Sequence, residues 1–193
     1  VYTPENFQIR QGDVVVDVGA HIGAFSIFAA KHATEGRIFS FEPVPENFEM
    51  LKENILLNEL DNVIAINKAV SDKSGNKKIF LSNKNTGRHS LYFHQKGADS
   101  IEIETLSLND FISKNKIKQI DFLKMDCEGA EYPILFNASS DILKRIQKIS
   151  MECHNVDEKN NVDNLRSFLE KNGFSVKIKF GEKPNYSMLY AMR

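Results

Sequence analysis

The chain has 193 residues, of which 41% are hydrophobic and 26% charged, with a formal net charge of -1. That length holds one sizeable core, which points to a single domain over residues 1–193, and the near-zero charge gives no broad attraction to phosphate backbones or anionic membranes, so neither nucleic acid nor a membrane is expected as a partner. Two cysteines make no disulfide framework, the longest apolar stretch, residues 22–30, is too short to span a bilayer, and no secretory leader is visible, so a cytoplasmic location is expected.

Residues 1–11 form a lead-in in which Pro4 discourages helix, and Gly12-Asp13 marks the turn into the first strand. Val14, Val15, Val16 and Val18 read as a strand buried on both faces, the pattern of a parallel sheet, and the turn Asp17-Val-Gly19-Ala-His21-Ile-Gly23 follows. Gly19 allows backbone geometry that a side chain forbids, Gly23 lets a helix start close to its neighbours, and the first-turn amides there suit a polar ligand. That helix carries Phe25, Ile27, Phe28, Ala29 and Ala30 with almost no polar face, which predicts deep packing. A second strand, residues 37–41, delivers Glu42, where such folds keep an acid for ribose hydroxyls, so a nucleoside cofactor is the first functional expectation. Pro43 and Pro45 stop the strand, Phe48, Leu51 and Ile55 recur at helical spacing up to Asn58, and a third strand, residues 63–66, runs into Asn67, Lys68, Ala69 and Val70 beside the expected cofactor.

Residues 71–110 break this rhythm, with turn-forming clusters between short β-like pieces at residues 78–81, 90–93 and 101–106, and predict a β-hairpin insertion or lid over the site. Order resumes with a buried strand at residues 120–126 ending in Asp126, helical stretches at 130–136 and 141–146, a strand at 149–154, and an amphipathic helix at 162–171 stopped by Asn172-Gly173. Two alternating runs, Phe174 to Phe180 and Tyr186 to Met192, close the chain with only residues 181–185 between them. A parallel crossover needs about a dozen residues, so these two strands make an antiparallel hairpin. The predicted fold is α/β, a doubly wound, mostly parallel sheet with a C-terminal antiparallel hairpin, which is not the layout of a dinucleotide dehydrogenase.

Five stretches, VVDVGAHIGAFS (15–26), FEPVPENFEMLKENILLN (41–58), NKAVSDKSG (67–75), DFLKMDCEGAEYPIL (121–135) and MECHN (151–155), resemble the FkbM family of the seven-stranded, Rossmann-like class I methyltransferases. The resemblance implies dependence on S-adenosylmethionine and transfer to a hydroxyl on a sugar, glycan or natural-product small molecule. It implies that Asp17, Gly19 and Gly23 border the methionine end of the cofactor, with His21 in the same turn where many class members carry glycine, Glu42 on the ribose diol, and Lys68 and Ala69 at the adenine. Ser90 resembles a family position near the cofactor, with a plain turn role as the alternative.

The chemistry is expected at Met125-Asp-Cys-Glu128 and Met151-Glu-Cys-His154, the C-terminal ends of strands that should be adjacent, where open α/β sheets bind ligands. Side-chain alternation sends Asp126 with Glu128, and Glu152 with His154, away from Cys127 and Cys153, so four polar groups are expected to cluster. Methyl transfer to oxygen needs an aligned hydroxyl and removal of its proton, which makes His154 the first general-base candidate, oriented by Asp126 or Glu152. A divalent metal held by Asp126, Glu128, Glu152 and His154 is the rival arrangement, although nothing in the spacing demands it, and a polar network tying strand ends to loops is the bland one. Both cysteines read as small buried hydrophobes, and His89 and His94 as surface groups. A nicotinamide-dependent reductase is the alternative enzyme, since Tyr92 stands four residues before Lys96, but that pair lies in a broken segment and not on a helix. A non-catalytic cofactor-fold binding module is the third reading, which the retention of Glu42, Asp126 and His154 opposes.

Overall fold

The computed structural model describes residues 2–82, 89–92, 98–181 and 186–193. In order these form β1 (Val14–Val18), α1 (Ala24–His32), β2 (Arg37–Phe41), α2 (Pro45–Leu57), β3 (Val63–Ile66), β4 (Ala69–Ser71), β5 (Gly75–Phe80) and β6 (Ser100–Ser107). The chain continues through α3 (Leu108–Lys114), β7 (Phe122–Met125), α4 (Glu131–Phe136), α5 (Ser140–Leu143), β8 (Lys148–His154), α6 (Val162–Lys171), β9 (Ser175–Phe180) and β10 (Tyr186–Met192).

Seven strands build one sheet in the order β3-β2-β1-β7-β8-β10-β9. Neighbours from β3 to β8 are parallel, and β10 runs antiparallel to both β8 and β9. This is the expected mostly parallel sheet with a C-terminal antiparallel hairpin, with β10 inside and β9 on the edge. Alternation along the strands sorts the core into two layers. Val16, Val18, Phe39, Leu123, Met125 and Ile149 pack with Phe111 of α3, Leu135 of α4, Ile142 of α5 and Leu165 of α6. Val15, Ile38, Phe122, Met188 and Tyr190 face the other way, onto Ala29 and Ala30 of α1 and onto Phe7 and Ile9 of the lead-in. Both faces are thus covered, as a doubly wound sheet requires. On the α1 side one row of the sheet is polar: Ser40, Asp17, Lys124 and Ser150 are successive register partners on β2, β1, β7 and β8, and all four are buried.

Three local features depart from the expectations. The first helix is less deeply packed than its composition implies, because only one side meets the sheet: Ser26, Ala29 and Ala30 are buried, while Phe28 is 39% exposed and lies 4.3 Å from the His32 ring. Residues 71–110 hold more than a hairpin, since β5 pairs antiparallel with β6, and β6 pairs parallel with β4, as a separate three-stranded sheet. The piece expected at 90–93 is reduced to a bridge between Phe80 and Ser90, and Phe93 lies outside the described residues. Within the end of this region α3 was not expected. Its signal is Ser107, whose side chain accepts from the Asp110 amide as an N-cap, ahead of the buried Leu108, Phe111 and Ile112.

The turn between β1 and α1 requires glycine at two points. Gly19 has φ 77° and Gly23 has φ 92°, and a Cβ on Gly19 would stand 1.9 Å from the Asp126 carbonyl oxygen, while one on Gly23 would stand 2.6 Å from Leu51 Cδ1. At Gly19 the obstacle is backbone and cannot step aside. Gly19→Ala is therefore expected to lose about 3 kcal/mol of unfolding free energy, which urea denaturation would measure.

Candidate active site

The Gly turn is laid onto the end of β2, where the amides of Gly19 and Ala20 donate to the Phe41 carbonyl at 3.1 and 2.9 Å, and onto the end of β7, where the Asp126 amide donates to the Val18 carbonyl at 3.0 Å. These bonds bring the turn, Glu42 and Asp126 to one place. Glu42 is 5% exposed. The His21 amide donates to its Oε2 at 2.9 Å and the Val44 amide to its Oε1 at 2.9 Å, so both oxygens are held by backbone. Burial pushes this carboxyl above its ordinary range, with the Val44 and His21 amides and the Asn47 side chain pulling the other way. Asn67 fixes the strand end by donating to the Glu42 carbonyl at 2.9 Å.

A cavity opens over these groups. Gly19, His21, Glu42, Val44, Asn47, Ala69 and Asp126 line it, together with Ile79, His89 and Leu91 from the 71–110 segment. Of the residues expected at the cofactor, Asp17, Gly23 and Lys68 do not line it. Asp17 lies behind the turn, fully buried, with Oδ2 accepting from Ser26 Oγ at 2.6 Å and Oδ1 paired with Lys124 Nζ at 2.9 Å. Gly23 packs on Leu51, and Lys68 turns outward to Glu104 at 2.5 Å. Lys124 also donates to the Gly19 carbonyl at 2.8 Å. Burial would lower its pKa, but the Asp17 and Asp126 charges outweigh it, so the ammonium is retained.

The four groups expected to cluster divide into three and one. Glu128 has φ 49°, which ends strand alternation after β7. His154 Nε2 sits 3.5 Å from Glu128 Oε2 and 3.3 Å from Glu152 Oε1, whereas Asp126 Oδ2 accepts from the Tyr2 hydroxyl at 2.6 Å. Among the described residues no group of three or more His, Cys, Asp or Glu side chains is arranged to hold a metal ion, so the rival set of Asp126, Glu128, Glu152 and His154 is not assembled as one. Burial alone would lower the His154 pKa, but the hydrogen bond to Glu152 and the charges of Glu131, Glu128 and Glu152 carry it up to about 9. At neutral pH this imidazole is charged, and a general base it can be only after losing that proton. Glu131 caps the same loop from below, accepting from the Cys127 and Gly129 amides at 3.1 and 3.0 Å.

One cavity residue, His89, was not read from the sequence, and Ser90, expected near the cofactor or as a turn residue, is a buried tie. His89, expected on the surface, lines the cavity, and its Nδ1 accepts from the Ser82 amide at 2.9 Å. Burial first, and then His21, lower its pKa, so both features favour a neutral ring with the proton on Nε2. Ser90 is 2% exposed. Its Oγ donates to the Glu128 carbonyl at 2.6 Å and accepts from the Tyr92 amide at 2.9 Å, which ties the inserted segment to the loop after β7. Cys153 is buried and Cys127 half-buried, both as free thiols. His94 and Lys96 lie outside the described residues. No helix among the described residues is long and apolar enough to cross a membrane.

The family model described as the methyltransferase FkbM domain matches residues 17–176. The chain belongs to the FkbM methyltransferase family. Among its relatives, the 31-O-demethyl-FK506 methyltransferase FkbM of Streptomyces tacrolimicus is 26% identical over 206 residues, covering 91% of this chain and 77% of the relative. The hexuronic acid methyltransferase AglP of Haloferax volcanii is 26% identical over 148 residues, covering 76% of this chain and 58% of the relative. The crystal structure of a methyltransferase FkbM from Methylobacillus flagellatus superimposes with a TM-score of 0.67 at 13% identity, covering 96% of this chain and 44% of that one. The FkbM domain here thus spans less than half of that solved chain and shares its Rossmann-like methyltransferase fold.

The His154 environment has a consequence for stability. A histidine whose folded-state pKa lies above the ordinary 6.5 adds stability that is complete below about 6.5 and is lost as pH rises through about 9. Glu131, which burial raises from 4.5 to about 7, loses its contribution in a lower window. The unfolding free energy is expected to fall between about pH 6.5 and 9, and His154→Gln to flatten that limb when denaturation is followed across pH.

Proposed function

We propose that this FkbM domain is an S-adenosylmethionine-dependent O-methyltransferase whose acceptor is a hydroxyl on a sugar, glycan or natural-product small molecule. The observation that carries the reading is Glu42, a buried carboxylate with both oxygens oriented by amides on the wall of the cavity beside the Gly19 turn. A ribose diol offers two donors to such a group. Gly19 fits the same ligand, because its lack of a side chain lets a nucleoside's tail approach backbone that is already pressed against Asp126. Ala69, Ile79, Leu91 and Val44 give the apolar walls that an adenine needs.

When bound, S-adenosylmethionine supplies a methyl group activated by a sulfonium. In this reading Gly19, His21, Glu42, Ala69 and Asp126 hold the cofactor, and Asp17 and Gly23 shape the turn that presents it. Lys68, paired outward with Glu104, has no contact to offer from its present position. His154 takes the acceptor's proton once it is neutral, Glu152 holds the ring through its Nε2 from 3.3 Å, and Asp126 borders both halves of the site. The chain works as one domain, with the small sheet and residues 89–92 as a lid over the cofactor. No metal is assigned to it.

The acceptor class draws on the printed activities of two relatives, one named for 31-O-demethyl-FK506 and one for a hexuronic acid. A net charge of -1, with lysines scattered along the sequence and not massed, supports a small-molecule or glycan partner over nucleic acid.

Glu42→Ala is expected to weaken S-adenosylmethionine binding about tenfold or more by calorimetry, since even one lost charge-assisted bond is that large. Thermal shift with nicotinamide dinucleotides in parallel distinguishes the reductase reading: stabilisation by those ligands alone overturns the proposal. With an acceptor found by screening sugars, glycans and natural products for transferred methyl, kcat is expected to rise with pH toward about 9 as His154 deprotonates. A profile that His154→Gln leaves unaltered would remove His154 as the base, and transfer to RNA alone would remove the acceptor class.

A further inference from the structure

The geometry points to Tyr2 as a positioning residue of the methyl-transfer site, one that holds the Asp126 carboxylate toward the amino-acid end of the cofactor. This rests on the cofactor reading above and extends it to the N-terminal lead-in, a segment outside the residues that the family model matches.

Tyr2 reaches the site from the α1 face. Its hydroxyl donates to Asp126 Oδ2 at 2.6 Å across 124 residues of chain. The ring is fixed by two further contacts: it meets Phe25 edge to face with centroids 5.6 Å apart, and the Lys124 ammonium lies 5.3 Å from its centroid. Each contact alone is modest, but together they define one position for a rigid side chain with two rotatable bonds. The direction of the hydrogen bond is also fixed. A carboxylate only accepts, and a phenol that is largely buried, with the charges of Asp126, Glu152 and Asp17 around it, is pushed far above its ordinary range, so it stays a donor.

Asp126 is the link to the ligand. It lines the cavity together with Gly19, and its backbone presses so closely on Gly19 that a Cβ there would meet its carbonyl at 1.9 Å. A group lying along the Gly19 turn therefore lies beside this carboxylate. The part of S-adenosylmethionine that a carboxylate attracts is its α-ammonium. With Oδ2 engaged by Tyr2, the carboxylate is held from turning, which leaves Oδ1 as the oxygen for the incoming donor. Lys124 supports the arrangement from beneath, since the ammonium that carries the Tyr2 ring also holds the Gly19 carbonyl at 2.8 Å. One cation thus sets both the turn and the residue that aims the acid above it.

The test compares two ligands. S-adenosylmethionine carries the amino-acid end, and 5′-methylthioadenosine lacks it while keeping the nucleoside. Tyr2→Phe preserves the ring, its contact with Phe25 and its place over Lys124, and removes only the donor. By calorimetry Tyr2→Phe is expected to weaken S-adenosylmethionine about tenfold and to leave methylthioadenosine within about twofold of wild type. In an Asp126→Asn background the same change is expected to add less than about twofold, because Tyr2 acts through that carboxylate. Equal weakening of both ligands would mean a structural role and would overturn the assignment, as would unaltered S-adenosylmethionine affinity or full additivity with Asp126→Asn. A wild-type protein that binds neither ligand would instead bring down the cofactor reading, and this inference with it.

Discussion

Lys124 sets an ammonium inside a sheet whose neighbouring residues on the same strand, Leu123 and Met125, are wholly buried. A charge in that setting costs several kcal/mol unless partners answer it where it lies. Asp17 answers it from the register position directly across β1, and the Gly19 carbonyl answers it from the turn. Asp17 in turn receives the Ser26 hydroxyl of α1, and Ser40 of β2 donates to Ser26 at 2.8 Å. Three strands and a helix are tied through one polar row. The row cannot slide by one residue without burying an unpaired charge, so it fixes register in a part of the sheet where apolar side chains alone would tolerate exchange.

That row decides how the site is built. Because Lys124 and Asp17 consume each other's charge, Asp17 is a support of the turn and not a wall of the cavity, which is where the sequence had set it. Acids that do line the cavity lie one step further along, Glu42 after β2 and Asp126 after β7. Beyond them the Glu128, Glu152 and His154 group forms a second, charged neighbourhood. The Ser90 hydroxyl, donating to the Glu128 carbonyl, joins the inserted segment to the loop between the two neighbourhoods. A shift of that segment is therefore felt on both sides of Asp126.

The large sheet was legible because its signals are local. Apolar runs at 14–18 and 37–41, glycines at fixed distance and two alternating runs at the C-terminus each carry their own period, and only the length of the last link was needed to choose antiparallel pairing. The placement of Glu42 and Asp126 beside the Gly turn follows from the same strand ends. Less legible were residues whose role depends on distant partners. Tyr2 and Asp126 are separated by 124 residues, and nothing near Tyr2 in the sequence marks it. His89 reads as polar surface until β5 and β6 bring its segment over the cavity. Glu128 was assigned a side of the strand by alternation, but its left-handed backbone, φ 49°, ends the strand geometry that the inference used. Lys124, like the Ser107 cap of α3, was a visible clue left unread: a lysine in the middle of a buried run asks for an acid across the sheet.

The position of β10 also bears on how the molecule is made. In the sheet β9 touches only β10, and β10 alone joins it to β8. During synthesis Ser175–Phe180 emerges before the strand that gives it a place, so it waits with its edge unsatisfied until Tyr186–Met192 follows. Closure of this half of the sheet therefore needs β10 docked between β8 and β9, while β1, β2 and β3 pair with one another directly. The half that carries the Gly turn and Glu42 can assemble early. His154, at the end of β8 and opposite Tyr186, has its place in the sheet completed only once β10 is docked.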